Sequence, residues 1–134
     1  EALGGELKVI ISGGAALQVR LAKLFSAVGI KIAQGYGLTE TSPVISVNWG
    51  DYPTMQAGSV GPVIEHVEVK IAEDGEILMK GPNLMVGYFK DTEKTEEVID
   101  KDGYFHTGDI GKIENGNLWI TDRKKEIFKL STGK

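Results

Sequence analysis

Short apolar runs separated by glycines open the chain. Residues 7–11 (LKVII) form such a run between Gly-rich segments, which predicts a buried strand of the kind found in parallel sheets. Apolar residues then recur at helical spacing over residues 17–28, so we predict an amphipathic helix that ends at Gly29. A second short strand is predicted over residues 30–33. Strand, helix and strand in this order are typical of an α/β unit.

After this unit the pattern changes to short alternating runs. Residues 37–61 are rich in Gly, Thr, Ser and Pro and show little periodicity. Apolar and polar residues alternate over 67–71, and an Asp-Gly turn at 74–75 separates this run from residues 77–80, which predicts a β-hairpin. We therefore expect two parts of different type, with a boundary near residues 44–49.

A short helix and a second hairpin are predicted in the last third. Residues 91–99 favour a helix with Asp91 or Thr92 as its cap and glutamates in its first turns. An Asn-Gly pair at 115–116 marks the second hairpin turn, and the strands predicted around and beyond it cover residues 112–114, 118–121 and 127–130. The predicted fold class is α/β followed by mainly antiparallel β.

Composition and charge exclude several classes of function. The 134 residues are 41% hydrophobic and 25% charged, as in soluble globular proteins, and no apolar run approaches the length of a membrane span. The net charge of −4 argues against nucleic acid as a partner. The chain has no cysteine, which excludes disulfides and thiolate chemistry and is compatible with a cytoplasmic location. Because His66 and His106 lie far apart, a histidine metal site is disfavoured.

A glycine-rich turn joins the first predicted strand to the helix. Residues 12–16 (SGGAA) occupy this turn, where glycines let a ligand approach the backbone and the amides of a helix N-terminus favour anions. The alternative is a plain strand–helix turn that needs glycine for a positive φ. The dinucleotide-binding fingerprint is not satisfied here.

A second glycine-containing segment, residues 35–41 (GYGLTET), follows the second predicted strand, where open α/β sheets bind ligands. Tyr36 is suited to cover a flat ring, Thr39 offers a hydroxyl to a phosphate, and Glu40 offers a hard oxygen to Mg²⁺. The alternative is a Thr/Ser-rich loop in which Ser42 caps a helix that begins at the next residue, a proline.

A third segment, residues 103–111 (GYFHTGDIG), places an aspartate between glycines. The Asp109 carboxylate can accept two hydrogen bonds from a vicinal diol such as a ribose, although an aspartate that caps a turn is the commoner case. His106 is a candidate catalytic base, with a half-buried loop histidine as the alternative. The charged run at 121–129 is by itself typical of a solvated face.

Taken together, seven segments resemble the adenylate-forming superfamily, which includes acyl-CoA synthetases, luciferases and peptide-synthetase adenylation domains. The segments are SGGA at 12–15, YGLTET at 36–41, GSVGP at 58–62, GEILMKG at 75–81, MVGY at 85–88, GYFHTGDIG at 103–111 and ITDRKKEIFK at 120–129. The resemblance covers essentially the whole chain. The DRKKE sequence at 122–126 and FHTGD at 105–109 are most similar to medium- or long-chain fatty acyl-CoA synthetases.

The resemblance implies an ATP-dependent ligase. A fatty acid carboxylate would attack the α-phosphate of Mg-ATP to give an acyl-adenylate and pyrophosphate, and the thiol of coenzyme A would then displace AMP. The implied ligands are ATP or AMP, Mg²⁺, coenzyme A and a fatty acid. Three alternatives remain: a related acid–thiol ligase or adenylation domain, a nucleotide-binding module without catalysis, and a structural β-domain whose loops merely resemble the motifs.

The resemblance also implies roles for residues around the nucleotide. The residues expected to line the adenine and acyl pocket are Gly14, Ala15, Gly35, Tyr36 and Gly37. Tyr36 would stack near the adenine, Thr39 would bond the α-phosphate, and Glu40 would hold Mg²⁺. Because the α-phosphate gains negative charge in the transition state, a metal and hydrogen-bond donors aimed there are what this step needs.

Further residues are implied at the ribose and at a hinge between domains. Asp109 would bind both ribose hydroxyls, and Arg123 would make a second ribose or phosphate contact. Lys125 matches the hinge before a small mobile C-terminal domain, where rotation would exchange catalytic groups between the half-reactions. Lys129 matches a lysine linked to thioester formation, and it joins Thr39 and Glu40 as an expected catalytic residue.

The resemblance implies a fragment of a large N-terminal domain. Residues 1–46 would be the end of an α/β subdomain, 47–122 a small distorted β-barrel subdomain with the ribose-binding Asp109, and 123–134 the hinge and the start of the C-terminal domain. The superfamily's phosphate loop and its adenylating lysine would lie upstream and downstream, so we expect little turnover by the fragment alone. The acyl chain length, the oligomeric state and peripheral membrane contact of the full-length enzyme stay open.

Overall fold

The computed structural model describes residues 4–14, 17–49 and 56–124. Its first sheet contains β1 (Val9–Ser12), β2 (Lys31–Gly37) and β3 (Val44–Asn48). Its second sheet contains β4 (Glu68–Ile71), β5 (Glu76–Lys80), β6 (Phe105–Glu114) and β7 (Asn117–Arg123). Two α-helices, α1 (Val19–Ala27) and α2 (Thr92–Val98), and a 3₁₀ turn at Thr39–Thr41 connect strands.

The first sheet contains the predicted α/β unit. β1 and β2 pair in parallel, from Val9 beside Lys31 to Ser12 beside Gln34, and α1 connects them. β2 runs on to Gly37, four residues beyond the predicted strand. The end of β2 therefore carries the GYG segment itself, which the sequence had placed after the strand. Strand, helix and strand are confirmed in type and order.

β3 pairs antiparallel with β2 and was not predicted. The sequence pattern failed there because polar residues occupy buried positions beside apolar ones. Ser46 is fully buried and its hydroxyl donates to the Val60 carbonyl at 2.9 Å. Asn48 is 3% exposed and its amide donates to the Ser59 carbonyl at 3.0 Å. These bonds satisfy groups whose burial would otherwise be unfavourable, so no apolar periodicity is needed.

The second sheet is antiparallel throughout, in the order β4-β5-β6-β7. Both predicted hairpins are present, with the Asp-Gly turn between β4 and β5 and the Asn-Gly turn between β6 and β7. Asn115 has φ 50° and Gly116 has φ 75°, the positive values that this type of two-residue turn requires. β6 and β7 are longer than predicted, so His106 and Asp109 lie on a strand rather than in a loop.

The α2 helix confirms the predicted helix, with Asp91 rather than Thr92 as its cap. The Asp91 carboxylate accepts a hydrogen bond from the Lys94 backbone N–H at 3.1 Å. The alternative helix capped by Ser42 is wrong. Ser42 has φ 53° and ends the 3₁₀ turn, and β3 begins two residues later at Val44.

Among the described residues, a hydrophobic core joins the two sheets, and its buried members are Tyr36, Ile45, Val60, Ile77, Met79, Phe105 and Leu118. Residues 57–63 cross between the sheets, with bridges from Val63 to Ser46 and from Gly61 to Leu118. A Cβ atom on Gly61 would lie 2.2 Å from the Val47 carbonyl oxygen, so this crossing needs glycine. The packing brings the end of β2 close to β6 and β7. The predicted domain division after residue 46 falls within β3 and stays a prediction.

Among the described residues, no helix combines the length and the apolar character needed to cross a lipid bilayer.

Candidate functional site

A cleft of about 550 Å³ lies where the end of β2 meets β6 and β7. Such a volume is typical of small-molecule sites. A second pocket of about 520 Å³ shares part of the same lining and extends to Thr39 and Glu40. The structure thus brings together eight of the residues that the sequence had singled out: Gly14, Gly35, Tyr36, Gly37, Thr39, Glu40, Asp109 and Arg123.

The Asp109 carboxylate lines the cleft and accepts a hydrogen bond on each of its oxygens. Tyr36 donates its hydroxyl hydrogen to Oδ2 at 2.8 Å, and Arg123 donates from Nε to Oδ1 at 3.1 Å. Asp109 and Arg123 are also cross-strand partners in β6 and β7. A carboxylate offers about four lone pairs, so these two bonds leave capacity for two ligand hydroxyls. Asp109 is 5% exposed, which strengthens any such hydrogen bond.

The Tyr36 hydroxyl has a role that the sequence did not suggest. Burial raises the pKa of Tyr36 well above its ordinary value, and the negative charge of Asp109 raises it further. The phenol therefore remains a hydrogen-bond donor at neutral pH and fixes the direction of the Asp109 carboxylate. The two residues are 73 positions apart, and no local signal links them.

Glu40 pairs with Tyr88, a residue that the sequence had not assigned. The Tyr88 hydroxyl donates to Glu40 Oε1 at 2.8 Å, and this hydrogen bond is the main reason that the pKa of Tyr88 rises to about 12. The Met85 backbone N–H donates to the Glu40 carbonyl at 2.7 Å. Tyr88 belongs to the MVGY segment, so the resemblance had marked its position without giving it a role.

The residues around Glu40 fit a magnesium ion bound through a phosphate ligand. Among the described residues, no group of three or more His, Cys, Asp and Glu side chains is arranged to hold a metal ion. Mg²⁺ commonly binds through one or two carboxylates and the phosphates of its substrate. Glu40 is half-buried in the second pocket, and Thr39 lies exposed beside it. One carboxylate in the lining of a pocket matches that mode of binding.

The turn after β2 is held by the loop that precedes α2. Asn83 donates from Nδ2 to the carbonyls of Thr41 at 2.8 Å and Val44 at 2.7 Å. The fully buried Thr41 hydroxyl donates to the Pro43 carbonyl at 2.6 Å. These bonds fix the backbone that carries Thr39 and Glu40. Thr41 therefore stabilises the turn, a structural role that its position in the 35–41 segment did not predict.

Outside the cleft, Glu76 of β5 is a buried carboxylate with three hydrogen-bond donors. It accepts from the Gly108 backbone N–H at 2.9 Å, from Lys124 Nζ at 2.8 Å, and pairs with His106 Nδ1 at 3.0 Å. Burial by itself would raise the pKa of Glu76, but the bonds from Lys124, His106 and Gly108 outweigh it and hold the pKa below its ordinary value. In the sequence, Glu76 directly precedes three apolar residues, ILM, and the structure buries all four.

His106 was considered as a catalytic base, and the structure places it elsewhere. Its ring is half-buried, as the alternative expected, but it lies on β6 rather than in a loop, and its Nδ1 pairs with Glu76 at 3.0 Å. The described lining of the two pockets does not include it.

Three predicted residues, Ala15, Lys125 and Lys129, lie outside the described residues.

Comparison with known proteins finds relatives that are similar to this chain over nearly its whole length. The sequence model of a family described as AMP-binding enzyme matches residues 1–89. Fatty acyl-CoA synthetase A from Dictyostelium discoideum is 42% identical over 147 aligned residues, which cover 98% of this chain and 22% of that protein. Human long-chain-fatty-acid–CoA ligase 1 is 41% identical over 142 aligned residues, which cover 98% of this chain and 20% of that protein.

A solved structure supports the same relationship. O-succinylbenzoate coenzyme A synthetase from Bacillus subtilis, in complex with ATP and magnesium ion, superposes with a TM-score of 0.78 at 31% sequence identity. The match covers 88% of this chain and 27% of that one. The chain spans about a fifth of the length of the curated relatives that it matches.

Proposed function

This chain belongs to the family of AMP-binding enzymes, and from that premise we propose that it is part of a longer ATP-dependent fatty acyl-CoA synthetase. The enzyme joins a fatty acid to ATP, forming an acyl-adenylate and releasing pyrophosphate. Coenzyme A then displaces AMP and leaves as the thioester. The names of the relatives at 41–42% identity support a fatty acid over the o-succinylbenzoate named for the structure at 31% identity.

The observation that carries this proposal is the Tyr36–Asp109–Arg123 arrangement in the cleft. A buried carboxylate held by a phenol and a guanidinium is suited to accept hydrogen bonds from two adjacent ribose hydroxyls. The Gly35 backbone beside it leaves open space for the flat ring of an adenine, because a Cβ atom there would meet nothing within 4 Å. The cleft therefore combines features suited to a ribose and a purine.

Glu40 and Thr39 would serve the phosphates of the nucleotide. Thr39 would donate a hydrogen bond from its hydroxyl to the α-phosphate, and the Glu40 carboxylate would hold Mg²⁺, which when bound supplies positive charge to the phosphates. The Glu40–Tyr88 hydrogen bond fixes the direction of the carboxylate before the nucleotide arrives. Preorganised groups of this kind lower the cost of reorganisation during reaction.

Residues beyond the described range would complete the cycle. Lys125 serves as the hinge on which a C-terminal domain turns between half-reactions, and Lys129 assists thioester formation. Residues 1–46, 47–122 and 123–134 would be the α/β end, the small β subdomain and the hinge region. We further propose that the enzyme acts in the cytoplasm on small-molecule substrates, without a nucleic-acid partner.

Pyrophosphate exchange by the full-length protein tests this function. We expect exchange that requires Mg²⁺ and is supported by medium- or long-chain fatty acids across a panel of carboxylic acids. Asp109→Asn keeps the size of the side chain but loses its charge, and it should weaken ATP binding about 10-fold. Exchange with aromatic or amino acids alone would instead indicate a related ligase. AMP binding without exchange for any acid would indicate a non-catalytic binding module.

A further inference from the structure

Glu76 is a buried carboxylate that the proposed reaction does not use. It is 3% exposed, and burying a carboxylate is costly unless it is paired and hydrogen-bonded. The ammonium of Lys124 lies 2.8 Å from Glu76 Oε2 and 2.6 Å from Asp74 Oδ2. These two carboxylates hold the Lys124 side chain from the β4–β5 hairpin, so its position is fixed more firmly than that of a free surface lysine.

The partners of Glu76 are the neighbours of the proposed ribose-binding pair. Gly108, whose N–H donates to Glu76 Oε1 at 2.9 Å, directly precedes Asp109. Lys124 directly follows Arg123. Glu76 therefore fixes the chain beside both members of the Asp109–Arg123 pair, whereas its own side-chain hydrogen bonds go to Gly108, Lys124 and His106.

Arg123 needs this support because its own side chain is weakly held. It is 67% exposed and makes an Nε contact of 3.1 Å with Asp109. Although Asp109 is buried, solvent reaches the guanidinium and partly screens this ion pair, and the long arginine side chain loses entropy on being held. The position of Arg123 in the cleft therefore depends on its backbone, which pairs with β6 on one side and adjoins Lys124, bound to Glu76, on the other. Lys124 is not part of the described cleft lining, so we expect it to act on the cleft through its neighbour Arg123.

We propose that Glu76 and Lys124 form a clamp that positions Arg123 against Asp109 and thereby raises the affinity of the cleft for the ribose of AMP. Both are positioning residues, since neither touches the nucleotide. The inference rests on the proposed function, because it takes the cleft to be the ribose site. It adds two residues to which neither the sequence nor the resemblance gave a role.

A double-mutant cycle on AMP binding by the full-length protein tests the clamp. Titration calorimetry would compare wild type, Lys124→Met, Arg123→Ala and the double variant. Methionine keeps most of the side-chain length and removes the charge. We expect Lys124→Met to raise the dissociation constant about 5-fold and Arg123→Ala about 10-fold. If Lys124 acts through Arg123, the double variant binds AMP as Arg123→Ala does, with no further loss.

Two variants serve as controls. Lys124→Arg keeps the positive charge between Asp74 and Glu76 and should retain most of the affinity. Lys112→Met removes an exposed lysine of β6 that pairs with Glu114 and should leave the dissociation constant unchanged. Lys124→Gln provides a second neutral variant if the methionine protein fails to fold.

Additive losses in the double variant would overturn the clamp, because Lys124 would then act independently of Arg123. A lowered melting temperature with unchanged AMP affinity in Lys124→Met would also overturn it and leave only a structural role. Failure of the wild type to bind AMP would overturn the proposed function, and this inference with it. If the wild type binds AMP and both Lys124→Met and Lys124→Gln bind it equally well, the clamp is overturned but the proposed function is not.

Discussion

Gly35 and Gly37 flank Tyr36, and the two positions favour glycine for different physical reasons. A Cβ atom on Gly35 would meet nothing within 4 Å, and this residue lines both pockets. A Cβ atom on Gly37 would lie 1.6 Å from the Pro43 carbonyl oxygen, which is far inside any tolerated contact. The first glycine leaves space for a ligand, and the second allows β2 and β3 to approach each other at the bulge.

This difference gives the first prediction, which concerns AMP binding and stability in the full-length protein. Gly35→Ala should keep the melting temperature and weaken AMP binding about 10-fold, because the methyl group enters the cleft. Gly37→Ala should destabilise the fold by about 2 kcal/mol or more, because the backbone must move. Calorimetry and thermal unfolding separate the two effects. Equal loss of stability in both variants would contradict the assignment.

Glu40 gives a second prediction at the residue scale. Glu40→Gln keeps the size of the side chain but loses the charge that a hard cation needs. It should slow acyl-adenylate formation more than thioester formation from supplied acyl-adenylate, since Mg²⁺ is needed most while pyrophosphate leaves. Tyr88→Phe removes only the hydroxyl that donates to Glu40 and should give a smaller loss in the same step. Equal losses in the two half-reactions would argue against a metal role.

At the scale of elements, short sequence patterns predicted the elements that contacts between near neighbours in the chain determine. Asp-Gly and Asn-Gly pairs predicted both hairpin turns. The start of α2 was predicted from Asp91, whose carboxylate caps the helix by accepting from the N–H of Lys94, three residues later. β3 was missed because Ser46 and Asn48 are satisfied by a segment 11 to 14 residues away. Within the candidate site, the sequence and the resemblance singled out Asp109 and Glu40, whose roles stay predictions. Their partners Tyr36 and Tyr88 act over separations of 73 and 48 residues, and neither hydrogen bond could be predicted from spacing.

The junction of β5, β6 and β7 gives a prediction about pH. Because the folded-state pKa of Glu76 lies below its ordinary value of 4.5, the ionised carboxylate stabilises the fold above pH 4.5. This contribution is lost as the pH falls through the lower folded-state pKa. Glu76→Gln should therefore lower the melting temperature at neutral pH, and the difference from wild type should shrink on acidification. A difference in melting temperature between Glu76→Gln and wild type that stays constant from about pH 7 to pH 3 would contradict this prediction.

At the scale of the molecule, the cleft forms at the junction of the two sheets. Residues 57–63 bridge β3 and β7, and Asn83 ties the loop before α2 to the turn after β2. Asp109 from the second sheet thereby reaches Tyr36 from the first. The resemblance implied which segments would share a site, whereas the hydrogen bonds that join them follow only from the packed structure.

The last prediction concerns the 134-residue chain by itself. It spans about a fifth of the length of its relatives, and catalytic groups that act as a unit lose most of the rate when one is removed. We expect no acyl-CoA formation above background, whereas the full-length protein under the same conditions forms the thioester. AMP titration followed by NMR provides the control for folding, since resonances of cleft residues such as Gly35 and Arg123 should shift. Robust thioester formation by the short chain would show that these residues suffice for catalysis.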